Sequence, residues 1–552
     1  MAFDEILHHV GDSGRFQILR IACYIFFSLL LSCHDFMENF TAATPDHYCS
    51  VNLENPGSKI NITMNLTTEA LLKVSIPMGP NQKPEQCRRF QHTQWQFLDS
   101  NASISNSSEL ETEPCLDGWT YDHRDFTSTI VTEWDLVCDF QSFKYYAQAI
   151  AMAGHLVASS AGSIFSDRFG RKPVLVISCA AYGILGSCCA FAPSFSLYCV
   201  LRFLLSASIN NIVINYPILV FEETSPQWYS TIILLSGLSN SIGLTGFGGL
   251  AYVLSDWHML QLVVSLPYFM LFIALCWGPE SVRWLMSTGK TDQAIKELQR
   301  IAFINGKKDV ARNITTEALP SKFMDDGTFV NKSSRIKDII INPTIRKIVF
   351  CQFCIIFSTL FSIYGILLNI HTLGKNIFLN QFLLGGVDIP SKLLAYFIMR
   401  NVKRRPSIAF STIAVGACII ISIFLPKELH VLRIIIFLIC KGSFSIFTCI
   451  HMFYSQESTP TVLRSTIFGI LNTAARTASI MSALVLVTRK YFEHLPLILY
   501  GITPIVASIN IYFLPETFNL PPLDTIKDLE KRFMNKSVSE KERQDFLETT
   551  EC

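Results

Sequence analysis

Gly162-Ser163-Ile164-Phe165-Ser166-Asp167-Arg168-Phe169-Gly170-Arg171-Lys172 is a short basic stretch between apolar runs at 145–165 and 174–192. Asn401-Val402-Lys403-Arg404-Arg405-Pro406 has the same setting, between apolar runs at 376–399 and 408–425. Arg171 and Arg404 lie 233 residues apart, and two further pairs keep nearly that interval. Pro279-Glu280-Ser281 returns as Pro515-Glu516-Thr517 after 236 residues, and Glu222 returns as Glu457 after 235. Glu457 is followed seven residues later by Arg464, whereas Glu222 is followed by Tyr229, so one copy lacks its cation. A fixed spacing of this kind marks a duplicated unit. The chain reads as two halves related in parallel.

Each half is built for a membrane. Of 552 residues, 50% are hydrophobic and only 16% charged, against about 25% charged in soluble domains. A bilayer-crossing helix needs about 20 mainly apolar residues. Such runs fall near 16–37, 145–165, 174–192, 197–221, 231–254, 259–277, 347–371, 376–399, 408–425, 432–454, 466–489 and 494–514. The second, fifth and eleventh are rich in Gly, Ser or Thr, as befits helices that pack closely or line a polar path. The first lacks a small-residue cleavage site and runs into His34 and Asp35, so it reads as a retained helix. The expected fold is all-α, with twelve transmembrane helices in two six-helix halves.

Lys and Arg orient the chain. The 278–345 loop holds eleven of them, and the loops at 166–173 and 400–406 are basic, while 193–196 has none. The expected layout is a cytoplasmic N-terminus (1–15), a first half (16–277), a cytoplasmic central loop (278–345), a second half (346–514) and a cytoplasmic tail (515–552). Residues 38–144 are then extracellular. They carry Cys49, Cys87, Cys115 and Cys138, an even set that predicts two disulfides, with three pairings open. Sequons at Asn61, Asn65, Asn101 and Asn106 lie in the same segment and predict glycosylation.

The composition also excludes whole function classes. Forty-five Lys+Arg balance 44 Asp+Glu, so no basic excess is present to track a nucleic-acid backbone. No Walker loop, zinc-spaced His/Cys set or Ser-His-Asp context appears, which argues against an enzyme, a metal site, a cofactor or direct ATP drive.

Ionisable residues at membrane depth cost about 2.5–3.5 kcal/mol each and are functional by default. The second half offers three candidates, all positive: Lys392, Lys441 and Arg476. A central cluster of that sign attracts anions. Arg476 is the best candidate, because its planar fork can hold a carboxylate or sulfate at two points and no acid lies within a turn. Asp388, four residues before Lys392, can neutralise that lysine instead. Phe357, Phe361 and Tyr364 form one stripe of span seven, and Phe447 shares a face of span ten with Phe444 and His451. These rings are candidate apolar walls for an amphipathic anion.

With a large central loop between two parallel six-helix halves, the layout resembles the major facilitator transporters. The resemblance narrows further on Gly14-Arg15-Phe16-Gln17, Glu38-Asn39-Phe40, Cys87-Arg88-Arg89-Phe90, Glu113-Pro114-Cys115-Leu116-Asp117-Gly118-Trp119, Trp134-Asp135-Leu136-Val137-Cys138, Arg283-Trp284 and Leu514-Pro515-Glu516-Thr517. These look like the organic anion transporters of solute carrier family 22, on the branch near the urate/anion exchanger. The resemblance implies a plasma-membrane exchanger of small organic anions such as urate, sulfated steroids or carboxylates. It implies a counter-anion, surrounding lipid and a monomeric chain as well. Lys392 and Arg476 stand where that family carries its substrate-attracting cations, and Tyr364 and Phe447 lie on spans that wall its cavity. Asn39 matches the family, while His34 and Asp35 depart from it. Asp167, Arg168, Arg171, Arg404, Glu457 and Arg464 are the expected gating charges, bridging the two halves in one state and separating in the other. Tyr229 in place of an arginine, Lys403 in place of a loop glycine and the unusual Asp35 leave a second reading open: a non-transporting interaction or sensor protein on the same fold.

Overall fold

The computed structural model describes residues 10–11, 14–51, 68–79, 83–98, 111–225, 228–309, 339–367, 377–426, 429–459, 463–490, 492 and 494–518. The long helices are α1 (Arg15–Phe36), α2 (Ser142–Phe169), α3 (Arg171–Cys189), α4 (Phe195–Glu223), α5 (Tyr229–Val253) and α6 (Trp257–Trp277, interrupted at Leu266). The second set is α7 (Pro343–Leu367), α8 (Ile377–Asn401), α9 (Arg404–Phe424), α10 (His430–Glu457), α11 (Arg464–Val487) and α12 (Leu495–Phe513, ending in a 3-10 turn). Among the described residues, eleven helical segments are long and apolar enough to cross a membrane. The remaining long helix, α2, has 28 residues but is diluted by Gly154, His155 and a run of Ser and Ala. Its small residues suit close packing against α4 and α11.

The packing repeats as the sequence does. In the first half α1 lies on α5, α2 on α4, and α3 on both α4 and α6. In the second half α7 lies on α11, α8 on α10, and α9 on both α10 and α12. The halves join where α2 meets α11 and α5 meets α8. Between apolar helices in lipid, close backbone approach replaces the hydrophobic driving force, so small residues sit at the crossings. A Cβ on Gly385 of α8 would come within 2.6 Å of the Thr245 amide nitrogen on α5.

The two ends of the bundle differ. Buried apolar clusters at the basic end, where Arg171 and Arg404 lie, each belong to one half: Tyr24, Leu175, Tyr216 and Leu275 in the first, Ile345, Tyr454, Ile467 and Leu514 in the second. At the opposite end one cluster takes Met37, Phe40 and Phe247 from the first half and Phe361, Ile377 and Tyr500 from the second. There the Phe378 ring of α8 sits among three first-half rings: Phe40 at 5.6 Å, Phe126 at 5.4 Å and Tyr252 at 5.4 Å between centroids. Among the described residues, the halves are therefore closed together at this end and share no buried apolar cluster at the basic end.

The segment between α1 and α2 covers the closed end. Strands β1 (His47–Cys49) and β4 (Trp119–Tyr121) pair antiparallel, as do β2 (Arg88–Phe90) and β3 (Thr112–Pro114). Of the three pairings open on sequence, the disulfides are Cys49–Cys115 and Cys87–Cys138. Arg89 holds Glu113 at 2.8 Å and Asp117 at 2.5 Å. Burial works against the Arg89 charge, but bonds to Asp117 and Glu113 overcome it and raise the guanidinium pKa. A short helix, Ile130–Glu133, is opened by a reciprocal Thr129/Thr132 cap, and Glu133 accepts from Trp257 Nε1 at 2.9 Å. Asn61, Asn65, Asn101 and Asn106 lie outside the described residues.

Candidate functional site

Ionisable side chains inside the spans sort into pairs. Arg202 of α4 meets Glu38 at 2.6 Å, and Arg20 of α1 meets Glu223 at 2.8 Å. Neither pair figured in the sequence reading, although a cation inside an apolar run is the signal that finds such residues. In the second half, Asp388 is 2% exposed and takes both lysines: Lys392 Nζ at 3.0 Å and Lys441 Nζ at 3.2 Å. The Ser241 hydroxyl of α5 donates to Asp388 at 3.0 Å, while Lys392 donates to the Gly237 carbonyl and to Ser241, each at 2.8 Å. Reading all three second-half cations as an uncompensated cluster is thus corrected. Two of them share one acid, and the group ties α8 and α10 to α5 of the other half.

Arg476 is different. It is half-buried on α11, makes no ion pair among the described residues, and its Nε has no hydrogen-bond partner. Tyr364 of α7 lies within its hydrogen-bonding reach. Asp35 of α1 is exposed while His34 and Met37 beside it are buried, and it feels the charges of Arg476 and Lys441. Ser32, one turn before it, packs on Gly243 of α5, and Glu38, one turn after it, pairs with Arg202 of α4, so the open face of Asp35 looks out between those two helices. His34 turns inward, with Nδ1 2.9 Å from the Tyr182 hydroxyl and its ring 5.9 Å from His155. Asn39 is buried nearby.

The expected aromatic walls divide. Tyr364 and Phe357 keep part of their surface open, whereas Phe361 is 7% exposed and packs edge-on against Tyr500 at 5.0 Å. Phe447 is a correction: at 1% exposure it is locked in the second-half core beside His451 and offers a ligand no surface here. Helical spacing gave its face relative to Phe444 but not which face looks inward. A cavity of about 620 Å³ lies at the basic end between Phe169, Lys172, Trp284 and Lys296, apart from these charges.

At the basic end the duplicated motifs build the same device twice. Glu280 accepts from the backbone N–H of Arg171 at 3.1 Å and of Lys172 at 3.0 Å. Glu516 accepts from those of Arg404 at 2.9 Å and Arg405 at 3.2 Å. Each carboxylate thereby caps the first turn of the third helix of its half, where unpaired amides and the helix dipole favour an anion. Beside it, Glu222 receives Arg171 at 3.6 Å and the Ser281 hydroxyl, while Glu457 receives Arg404 at 3.2 Å and the Thr517 hydroxyl at 2.8 Å. Expected to bridge the halves in one state and separate in the other, these charges lock each half internally in this state. Arg168 points outward over the Phe169 ring, and the Asp167 and Arg464 side chains lie outside the described residues.

Two departures that suggested decay are accommodated. Gly170 has φ +111°, and a Cβ there would come within 2.5 Å of Glu280. Its counterpart Lys403 has φ −58°, so no glycine is needed in that copy. The Tyr229 hydroxyl donates to the Phe221 carbonyl at 2.8 Å, with the two rings 4.8 Å apart.

Comparison with known proteins now decides the family. The sugar (and other) transporter family model matches residues 141–440. Mouse solute carrier family 22 member 22 is 64% identical over all of both chains. The chain belongs to solute carrier family 22. Human solute carrier family 22 member 12 is 40% identical over 98% of each chain, and the human steroid transmembrane transporter SLC22A24 is 40% identical over 96% of each. The inward-open xylose transporter XylE from E. coli superposes with a TM-score of 0.56 at 16% identity, covering 71% of this chain and 89% of that one. This solute carrier is therefore a multi-pass membrane transporter with the major facilitator fold, among relatives that are carriers and not enzymes.

Proposed function

We propose that this solute carrier moves small organic anions across the plasma membrane by alternating access, in exchange for a second anion. The observation that carries the reading is Arg476, a part-exposed guanidinium between the halves with no carboxylate of its own. A substrate carboxylate or sulfate would supply that partner, with Tyr364 and Phe357 alongside as the apolar wall. The steroid transporter among the relatives favours an amphipathic anion, with urate and simple carboxylates as further candidates. Lysine and arginine bias puts both termini, residues 278–345 and the basic end in the cytoplasm, and residues 38–144 outside. On that orientation the described state is inward-facing. Lys392 and Lys441 then hold the halves together through Asp388 rather than meeting substrate, and Phe361, His34 and Asn39 support the cavity wall from behind.

The non-transporting alternative loses two of its supports, because Lys403 and Tyr229 fit their places. Uptake of labelled steroid sulfate, urate and a dicarboxylate into proteoliposomes tests the proposal. Saturable uptake of at least one by the wild type, lost in Arg476→Ala, is expected. Equal uptake by both proteins would sink it.

A further inference from the structure

We propose that Asp35 sets the valence of the cargo, making this a carrier of monoanions that turns dianions away. The inference rests on the organic-anion reading above and goes one step beyond it. Among the described residues, charges near the middle of the bundle outside the Arg20–Glu223 and Arg202–Glu38 pairs are Arg476, Lys392, Lys441, Asp388 and Asp35. Three cations and two acids leave one positive charge, with His34, His155 and His451 counted as neutral. Asp388 is consumed, since its oxygens hold two ammonium groups and a hydroxyl in a buried contact. Asp35 has no ion pair among the described residues and keeps an exposed face between α4 and α5, on the side of α1 that carries Ser32 and Glu38.

An anion docked on Arg476 therefore lies in the field of a fixed negative charge across the gap. That repulsion grows in proportion to the ligand's charge. A monoanion brings the site to neutrality. A dianion leaves a net negative charge with no protein cation free to meet it, in surroundings where unpaired charge is expensive. Removing Asp35 thus helps a dianion about twice as much as a monoanion. A residue that merely supported the fold would move both ligands alike.

The test uses one steroid skeleton with two valences, 17β-estradiol 3-sulfate and 17β-estradiol 3,17-disulfate. Initial uptake of each is measured at equal concentration in cells, per unit of surface protein, for wild type, Asp35→Asn, Asp35→Ser and Asp35→Glu. The wild type should prefer the monosulfate. Asp35→Asn and Asp35→Ser should raise the disulfate-to-monosulfate ratio about tenfold, equivalent to about 1.4 kcal/mol, and Asp35→Glu should keep the wild-type ratio. A wild type that prefers the disulfate overturns the inference, as does an unchanged ratio in the neutral variants. Failure of all three variants to reach the surface does so too, by making Asp35 a folding residue. A wild type that carries these sulfates with an immovable ratio defeats this inference alone. A wild type that carries neither these sulfates, urate nor dicarboxylate defeats the organic-anion reading with it.

Discussion

Asp388→Asn keeps the shape of the side chain and removes the charge that Lys392 and Lys441 share at 3.0 and 3.2 Å. Lys441 is 6% exposed, so water cannot take over. Its ammonium would be left over the Phe444 ring, 5.4 Å away, as its remaining described contact. Lys392 keeps the Gly237 carbonyl and Ser241 and suffers less. Breaking a buried pair from one side costs about 3–5 kcal/mol, and the loss of one of two shared partners belongs in that range. Lys441→Met alone should cost far less, because Asp388 still holds Lys392 and the methionine fills the same space. Combining the two substitutions should therefore be milder than Asp388→Asn by itself. Heating detergent-solubilised protein and following the folded fraction by gel filtration gives the four melting curves of this cycle. If Asp388→Asn melts with the wild type, or the double variant melts below Asp388→Asn, the shared-acid reasoning fails.

Arg476→Lys should retain charge but lose the two-point geometry, weakening anion affinity by about 1–3 kcal/mol; concentration dependence of uptake measures it, and unchanged affinity refutes the contact. Gly170→Ala should destabilise the protein through its positive φ and the clash with Glu280, by about 1–3 kcal/mol, while Lys403→Gly should cost less than about 1 kcal/mol; melting curves rank the two. Non-reducing peptide mapping should return Cys49–Cys115 and Cys87–Cys138, and Cys87→Ser should lower surface abundance; any other pairing refutes the description of the capping segment. Arg171→Ala should loosen the first half at its basic end without unfolding the second, seen as faster hydrogen exchange in α3 than in α9.

The helices and the duplication were legible because both leave one-dimensional traces: apolar length and constant spacing. The Glu280 and Glu516 caps were half legible, since the repeat marked both glutamates without saying that their carboxylates accept backbone amides. Charge pairing was legible only at short range. Asp388 and Lys392 are a turn apart, a spacing that marks them as a pair, but Lys441 reaches the same acid from another helix, across 53 residues of sequence. Phe447 was misplaced for a related reason. Periodicity groups residues into faces, and only neighbouring helices decide which face looks inward.

Phe378 concentrates closure on a single side chain. Each aromatic pair contributes about 0.5–1.5 kcal/mol beyond buried area, so its three partners together weight the closed end by roughly ten- to a thousandfold. The basic end has no matching ring among the described residues, and its carboxylates are already satisfied within each half. A protein built this way has a default posture, waiting with one door shut and the other ajar until cargo changes the balance. Trimming Phe378 would reset how long it waits on either side of the membrane while leaving untouched the proposed anion site at Arg476.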